Sequence, residues 1–400
     1  MINKAISRKK RRENKEKNNQ KCIIISLISF IIISCIIIRI YDKPLISIDT
    51  KAEDNSSIEQ INLDKKDNTK EEVIEEHKVD KKEIVITVAG DCTLGTDTKF
   101  SEYGSFQAEL AAYNNDYSHM MKNVVDIFKE DDYTLVNLET TFTDATQKAN
   151  KAGSVVFHFK GPKEYVNILT SSSIEGVTIA NNHTYDYGEK GLNDTRQTLE
   201  ANNVDYCGYK HKIIKEIKGI KVGILGYNGW MADEETKAQI KADIQNLRKE
   251  GCIIVIPYFH WGLESQSIPC EVQTTLGRYA IDCGADIVYG SHPHVLQSIE
   301  NYKDRLIVYS MGNFCFGGNS NPSDKRTIIV QNRFTVEDKK ITNIENKVIP
   351  TLISSTTSRN DYVPTPAVGD TATSILNYLN ELSPTLKGNI KNEYFSIFKK

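Results

Sequence analysis

The sequence predicts an α/β domain in which helices cover the strands of a sheet. From residue 84 onwards, short runs of β-branched and apolar residues alternate with amphipathic segments. The runs are almost continuously apolar, which is typical of strands that are buried on both faces. The segments 120–129 and 191–202 place apolar side chains on one side at helical spacing. Strands that alternate with such helices favour a sheet with helices packed on it.

A basic segment and an apolar segment precede this domain. The chain has 400 residues and a formal net charge of −3, a balance that gives no reason to expect a nucleic-acid partner. Residues 1–21 are rich in lysine and arginine, and residues 22–41 are dominated by isoleucine. At about 1.5 Å of rise per residue, such an apolar run is long enough to cross a thin bilayer as a helix.

This pattern predicts one transmembrane anchor with the N-terminus in the cytoplasm and the rest of the chain outside the cell, because basic flanks stay on the cytoplasmic side. A cleaved signal peptide is the alternative. The apolar run is long for a signal peptide and no small-x-small cleavage site follows it, so an uncleaved anchor in the cell membrane is favoured.

Three further regions follow the anchor. Residues 42–82 are rich in charged and polar side chains, cannot bury enough apolar surface to offset chain entropy, and are predicted to be a flexible stalk. The folded domain is expected over residues 83–351, with a hairpin formed by 327–336 and 340–349 near its end. Residues 352–400 are predicted to be a C-terminal tail with a short helix near 372–382.

Polar side chains follow several predicted strands at the point where each strand ends. They are Asp91, Glu139, Asn182 with His183, His260, the pair His292 and His294, and Asn313. In α/β sheets, ligands bind at the carboxyl ends of the strands. One such residue alone is more often a helix cap, a turn residue or a structural histidine. Their repetition predicts a site for one or two metal ions, and mixed oxygen and nitrogen donors without thiolates favour Mn, Zn or Fe over Ca.

The order and spacing of these motifs resemble the CapA family, the poly-γ-glutamate capsule-synthesis proteins related to calcineurin-like metallophosphatases. The resemblance covers about residues 84–349 and depends on the motifs AGD (89–91), NLE (137–139), ANNH (180–183) with DYG (186–188), HWG (260–262), GSHPH (290–294) and SMGNF (310–314). It implies a four-layer αββα sandwich of the metallophosphatase type, with metal at one rim.

The resemblance also implies a role for each motif residue. The implied metal ligands are Asp91, Glu139 as the bridging carboxylate, Asn182, His260, His292 and His294, and the implied catalytic residues are His183 and Asp91. Metallophosphatases usually have a histidine two residues after the first aspartate, where this chain has Thr93, and an aspartate where it has Glu139. These departures predict an altered metal site.

Side-chain chemistry predicts roles for some residues in and near the motifs. Lys160 is a candidate partner for an anionic substrate, although an exposed loop lysine is an equally good interpretation, and Asn313 is a second candidate substrate-binding residue. His183 has the chemistry of a general acid near its working range. Asp186, Asp194 and Glu200 are interpreted as ordinary charges that flank a helix.

Three functions remain open at this point. The resemblance favours a membrane-anchored extracytoplasmic protein of poly-γ-glutamate capsule synthesis or export, with the anionic polymer, the membrane and membrane subunits of a capsule synthase as partners. The second is a metal-dependent hydrolase of the metallophosphatase superfamily, acting on phosphoesters or amides, or a peptide epimerase. The third is a non-catalytic scaffold that binds polymer, in which mutation of His183 would have no effect.

Overall fold

The computed structural model describes residues 80–153 and 155–399. The predicted cytoplasmic segment 1–21, the predicted anchor 22–41 and most of the predicted stalk 42–82 lie outside the described residues. Within the part that is described, no helix is long and apolar enough to cross a membrane.

Strands form two large sheets and one small sheet in the described chain. They are β1 (Lys81–Thr93), β2 (Thr96–Asp97), β3 (Tyr133–Leu138), β4 (Thr141–Phe142), β5 (Phe159–Gly161), β6 (Gly176–Thr178), β7 (Asp205–Cys207), β8 (Lys212–Ile217), β9 (Ile220–Gly229), β10 (Ile254–Trp261), β11 (Ile287–Ser291), β12 (Ile299–Tyr302), β13 (Arg305–Val308), β14 (Asn313–Phe316), β15 (Arg326–Glu337), β16 (Lys340–Leu352), β17 (Thr365–Pro366) and β18 (Phe395–Ser396).

The α-helices lie between these strands along the chain. They are α1 (Phe106–Ala112), α2 (Val125–Lys129), α3 (Val166–Thr170), α4 (Gly188–Ala201), α5 (Glu234–Lys249), α6 (Glu271–Asp282) and α7 (Gly369–Leu382). Helix α5 shows how the sequence sets a boundary: the Asp233 side chain accepts a hydrogen bond from the Thr236 amide, and two acidic residues occupy the first turn.

The parallel strands of each large sheet end at one edge. The first sheet has the order β17-β16-β15-β1-β3-β6-β7, with β14 also beside β1 and β18 beside β16. Strands β1, β3, β6 and β14 run parallel in it, whereas the β15–β16 hairpin is antiparallel. The second sheet has the order β12-β13-β11-β10-β9-β8, with β9, β10, β11 and β13 parallel. Residues that follow these strands are therefore brought to common edges.

The two large sheets pack face to face, and helices cover their outer faces. In β10, Ile254 and Ile256 lie in the core between the sheets, whereas Val255 lies in a second core with residues of α5 and α6. A third core joins the outer face of the first sheet to α1–α4. Alternation along each strand produces these two buried faces. The predicted mixed α/β fold with covered sheets is confirmed.

The segment 120–129 differs from the predicted helix. It begins in a 3₁₀ turn, Tyr117–Met121, and α2 starts only at Val125. Val124 lies between them with φ −123° and ψ −12°, outside the α-helical region. Val124 and Phe128 are nevertheless both buried against the first sheet, so the apolar spacing predicted the buried face and missed the break.

Residues 352–399 pack on the domain. Strands β17 and β18 both pair with β16, and α7 inserts Ile375 and Leu379 into the core between the sheets. The expected short helix is present and starts at Gly369. The apolar side of α7 contributes to the same core as the strands, so residues 352–399 are part of the folded domain.

Candidate metal centre

The carboxyl ends of strands from both large sheets meet at one rim. Asp91 on β1 lies in register with Asn137 on β3, and the Asn137 Nδ2 atom donates a hydrogen bond of 2.7 Å to Asp91 Oδ1. From the second sheet, the His292 amide donates to Asp91 Oδ2 at 3.2 Å. Asp91 therefore links the two sheets at the point where the predicted metal ligands gather.

The first donor group contains Asp91, Glu139 and His294. Their donor atoms lie within 4.8 Å of one another. His294 Nδ1 is 3.4 Å from Asp91 Oδ2, and His294 Nε2 is 4.0 Å from Glu139 Oε1. The His294 ring is oriented by Asn313, whose Oδ1 atom lies 2.8 Å from His294 Nδ1.

The second donor group contains Glu139, His260 and His292. These donor atoms also lie within 4.8 Å of one another. His260 Nε2 is 3.4 Å from Glu139 Oε1 and 2.7 Å from Asn182 Oδ1, so the asparagine amide oxygen belongs to this group. Glu139 is common to both groups.

The buried carboxylate of Glu139 fits a bound cation. Both of its oxygen atoms are inaccessible to solvent and have no hydrogen-bond partner within the described residues. Burial, together with the charge of Asp91, raises the pKa of Glu139 to about 8. A buried carboxylate without a partner is destabilising unless it is paired with a cation or coordinates a metal. The residues present therefore fit a divalent metal ion, and oxygen and imidazole donors suit Mn, Zn or Fe.

Burial also sets the charge of the surrounding donors. It lowers the pKa of His260 to about 3 and lowers that of His292, which keeps both imidazoles neutral as metal binding requires. Burial alone would raise the pKa of Asp91, but the hydrogen bond with His294 and the charges of nearby histidines hold it well below its usual range. The centre thus combines the ionised carboxylate of Asp91 with the neutral imidazoles of His260 and His292. His294 differs: burial would lower its pKa, but the charge of Glu139 and the hydrogen bond with Asp91 raise it to about 10.

Close backbone contacts position these donors. A Cβ atom at Gly90 would lie 2.0 Å from the Gly312 carbonyl oxygen, and the Asp91 amide donates to that same oxygen at 3.1 Å. His292 and His294 have φ values of 96° and 57°, in the left-handed region that non-glycine residues rarely adopt. Strained backbone conformations of this kind cluster at ligand sites.

His183 lies beside the donor groups and is held by a buried carboxylate. His183 Nδ1 is 2.7 Å from Asp186 Oδ2, and His183 Nε2 is 4.0 Å from Glu139 Oε1. Asp186 is fully buried, forms an ion pair with Lys151 and accepts a hydrogen bond from the Phe159 amide. The interpretation of Asp186 as an ordinary helix-flanking charge is therefore wrong. Its spacing three residues after His183 was the available sequence signal.

The two other charges assigned to that helix lie along α4. Asp194 pairs with Lys190 at 2.5 Å, and Glu200 accepts a hydrogen bond of 2.7 Å from the Tyr206 hydroxyl. Neither contact involves a donor of the candidate centre, in agreement with a helix-flanking role.

The structure does not bring the two candidate substrate-binding residues together. Lys160 Nζ donates to the Ala145 carbonyl oxygen at 2.7 Å and lies over the ring of Tyr187. Asn313 is buried and contacts His294, as described above. Thr93 is buried, and its hydroxyl oxygen has no hydrogen-bond partner within the described part of the chain.

Two further residues lie at the rim, and of these Glu264 was not predicted. Trp230 is 41% exposed, and its ring meets that of His292 edge-on with 4.8 Å between centroids. Glu264 follows β10, and a carboxylate oxygen of Glu264 lies within 4.8 Å of ring nitrogens of His292 and His294. Both lie in loops after strands of the second sheet, beyond the first polar residues that follow each apolar run.

Two packed sheets with oxygen and nitrogen donors at their strand ends define a mixed α/β protein with a candidate divalent-metal centre. A family model described as "Bacterial capsule synthesis protein PGA_cap" matches residues 85–318, more than half of the chain. The chain belongs to this family, and the resemblance to CapA proteins is confirmed.

Two relatives carry the CapA name. The capsule biosynthesis protein CapA of Bacillus anthracis is 28% identical over 255 residues, covering 58% of this chain and 60% of that protein. The PGA biosynthesis protein CapA of Bacillus subtilis is 34% identical over 210 residues, covering 48% and 54%. The match thus spans less than two thirds of each relative. A solved structure described as a novel phosphatase from Mycoplasma pneumoniae has a TM-score of 0.40 at 16% identity, covering 67% of this chain and 94% of that one, and carries no functional inference.

Proposed function

We propose that this protein is a membrane-anchored, extracytoplasmic component of poly-γ-glutamate capsule synthesis or export, and that its metallophosphatase-type domain has a divalent-metal centre. The names of the two Bacillus relatives support the pathway. The basic and apolar segments over residues 1–41 support an anchor with the domain outside the cell. The anionic polymer and membrane subunits of a synthase are the proposed partners.

The proposal of a metal centre depends chiefly on the contacts of Glu139. Two donor groups share this carboxylate, and its buried oxygens have no hydrogen-bond partner within the described residues. Asp91 and His294 would hold one ion with Glu139. His260, His292 and the Asn182 amide oxygen would hold the other. When bound, such ions supply Lewis acidity and stabilise negative charge on a substrate.

Elemental analysis of the full chain tests the centre. We expect near-stoichiometric Mn, Zn or Fe in the purified protein and its loss from a His292→Ala/His294→Ala variant. The control is His211→Ala, because His211 is exposed and stacks on Tyr206, away from the donor groups. Absence of metal from the wild-type protein, even after reconstitution with each ion, would contradict the proposal.

A hydrolytic activity is supported by the pairing of His183 with Asp186. A histidine whose Nδ1 atom faces a buried carboxylate keeps a defined ring orientation and tautomer. Its Nε2 atom then faces the donor groups and is placed to give a proton to a leaving group. A polymer-binding scaffold would have no need of this pair.

Assays of metal-loaded protein with poly-γ-glutamate and with p-nitrophenyl phosphate distinguish a hydrolase from a polymer-binding scaffold. For a hydrolase, His183→Ala is expected to lower turnover by about 10²–10⁴-fold, the usual contribution of general acid catalysis. Polymer binding by wild type and His183→Ala alike, without turnover of either substrate by wild type, would favour the scaffold.

A further inference from the structure

A third donor group lies on the solvent side of the candidate metal centre. Glu264, His292 and His294 each offer one donor atom, and these atoms lie within 4.8 Å of one another. Glu264 is exposed, whereas Glu139 is completely buried. His292 and His294 each also belong to one of the groups that contain Glu139. The two histidines therefore stand between an inner carboxylate and an outer one.

The loop that carries Glu264 is held against the histidine turn. The Ser265 amide donates a hydrogen bond of 2.8 Å to the Pro293 carbonyl oxygen, between the two histidines. At the start of the loop, Gly262 has φ 84°, and a Cβ atom there would lie 2.5 Å from Gln273 Oε1. The left-handed φ favours glycine, and a larger residue would also have to displace the Gln273 amide group. The position of Glu264 beside the histidines thus follows from contacts on either side of it.

The first donor group contains three protein ligands, fewer than the coordination number of a divalent transition-metal ion. Asp91, Glu139 and His294 supply three side chains to one ion position, and Thr93 stands where a fourth would be expected from the resemblance. The Thr93 hydroxyl is neutral, so it adds no charge to balance a second divalent ion. An additional carboxylate near His294 would raise both the ligand number and the negative charge of the centre.

We propose that Glu264 is a third carboxylate ligand of the metal centre and binds, from the solvent side, the divalent transition-metal ion that Asp91, Glu139 and His294 would hold. This inference rests on the metal centre proposed above.

Metal affinity of the full chain, measured with Mn²⁺ by equilibrium dialysis and by electron paramagnetic resonance, tests this assignment. Glu264→Gln is expected to weaken Mn²⁺ binding by at least about tenfold, the lower end of what perturbing a metal-site residue costs. Glu189→Gln removes the same charge from an exposed residue in the first turn of α4 and is expected to change the affinity less than twofold. Circular dichroism of the metal-free variants verifies that they fold.

A rescue variant separates ligation from a through-space charge effect. Glu264→His removes the charge but keeps a group that binds transition metals, so ligation predicts Zn²⁺ affinity above that of Glu264→Gln. The assignment is overturned if Glu264→Gln binds Mn²⁺ within twofold of wild type, or if Glu264→His binds Zn²⁺ no better than Glu264→Gln. Failure of the wild-type protein itself to bind metal would instead overturn the metal centre as a whole.

Discussion

The Oδ2 atom of Asp186 lies 2.7 Å from the Nδ1 atom of His183, and both side chains are buried. The carboxylate fixes the ring so that Nε2 faces Glu139 at 4.0 Å. Asp186 does not itself contact the donor groups and acts as a positioning residue.

We expect Asp186→Asn to lower kcat of any hydrolytic reaction by about tenfold or more while KM changes little, because an amide fails to hold the productive tautomer. Steady-state kinetics of metal-loaded protein check this, with Asp194→Asn on α4 as the matched control. A rise in KM at unchanged kcat would assign Asp186 to substrate binding.

The ion pair between Lys151 and Asp186 is expected to contribute to stability. Asp186 is inaccessible, and the Lys151 side chain is 22% exposed. Lys151→Met leaves the buried carboxylate without its cation and should lower the free energy of unfolding by about 1–3 kcal/mol, less than for a fully buried pair. Urea denaturation of this variant, of Asp186→Asn and of the double variant forms the test. If the loss of unfolding free energy in the double variant equals the sum of the losses in the two single variants, the two side chains are not directly coupled.

Bound metal is expected to raise thermal stability through Glu139. Ligand at about 100 times its Kd stabilises a folded protein by about 2.7 kcal/mol. Wild-type protein should therefore melt at a higher temperature in Mn²⁺ than in chelator, and Glu139→Gln should lose this difference because both donor groups lose a ligand. Scanning calorimetry measures both, with Glu189→Gln as a control that keeps the shift. An undiminished shift in Glu139→Gln would remove Glu139 from the site.

The contact between Gly90 and Gly312 is expected to be intolerant of a methyl group. A Cβ atom at residue 90 would overlap backbone, which cannot move as a side-chain tip can. Gly90→Ala should cost about 1–3 kcal/mol and displace the neighbouring Asp91 from the donor group. Chemical denaturation and metal affinity report the two effects. Gly104→Ala, where a Cβ meets no atom within 4 Å but φ is 68°, shows the cost of backbone strain alone.

Asp131 is expected to give the protein a pH dependence that is independent of the metal centre. Burial raises the pKa of Asp131 to about 7, despite a hydrogen bond of 2.6 Å from the Thr134 hydroxyl. The folded state therefore binds a proton more tightly than the unfolded state, whose carboxyl titrates near 4. This contribution to stability is complete below about pH 4 and is lost as pH rises towards 7.

Asp131→Asn should accordingly be more stable than wild type at pH 8, with a smaller advantage at pH 5. Urea denaturation at both pH values measures the difference. Equal stability differences at the two pH values would mean that the Asp131 carboxyl titrates normally in the folded protein.

The sequence predicted the strands that carry the site better than it predicted the contacts of the site. Strand ends could be found because buried strands have apolar runs that stop abruptly, as at Asp91 and His260. Asp186 was missed because its contacts are with Lys151 and with Phe159 at the start of β5, which lie elsewhere in the chain. Glu264 was missed because its position depends on a backbone contact between Ser265 and Pro293. Both relationships join distant segments, and residue order alone does not reveal them.

The left-handed conformations of His292 and His294 bear on how fast an ion could enter or leave. Each non-glycine residue in this region stores on the order of 1–3 kcal/mol of strain, which the bond from the His292 amide to Asp91 helps to hold. Loss of that bond would let the turn relax and carry both imidazoles away together. Exchange of a bound ion would then require a backbone rearrangement, so its residence time would be governed by the turn as well as by the strength of the individual ligands.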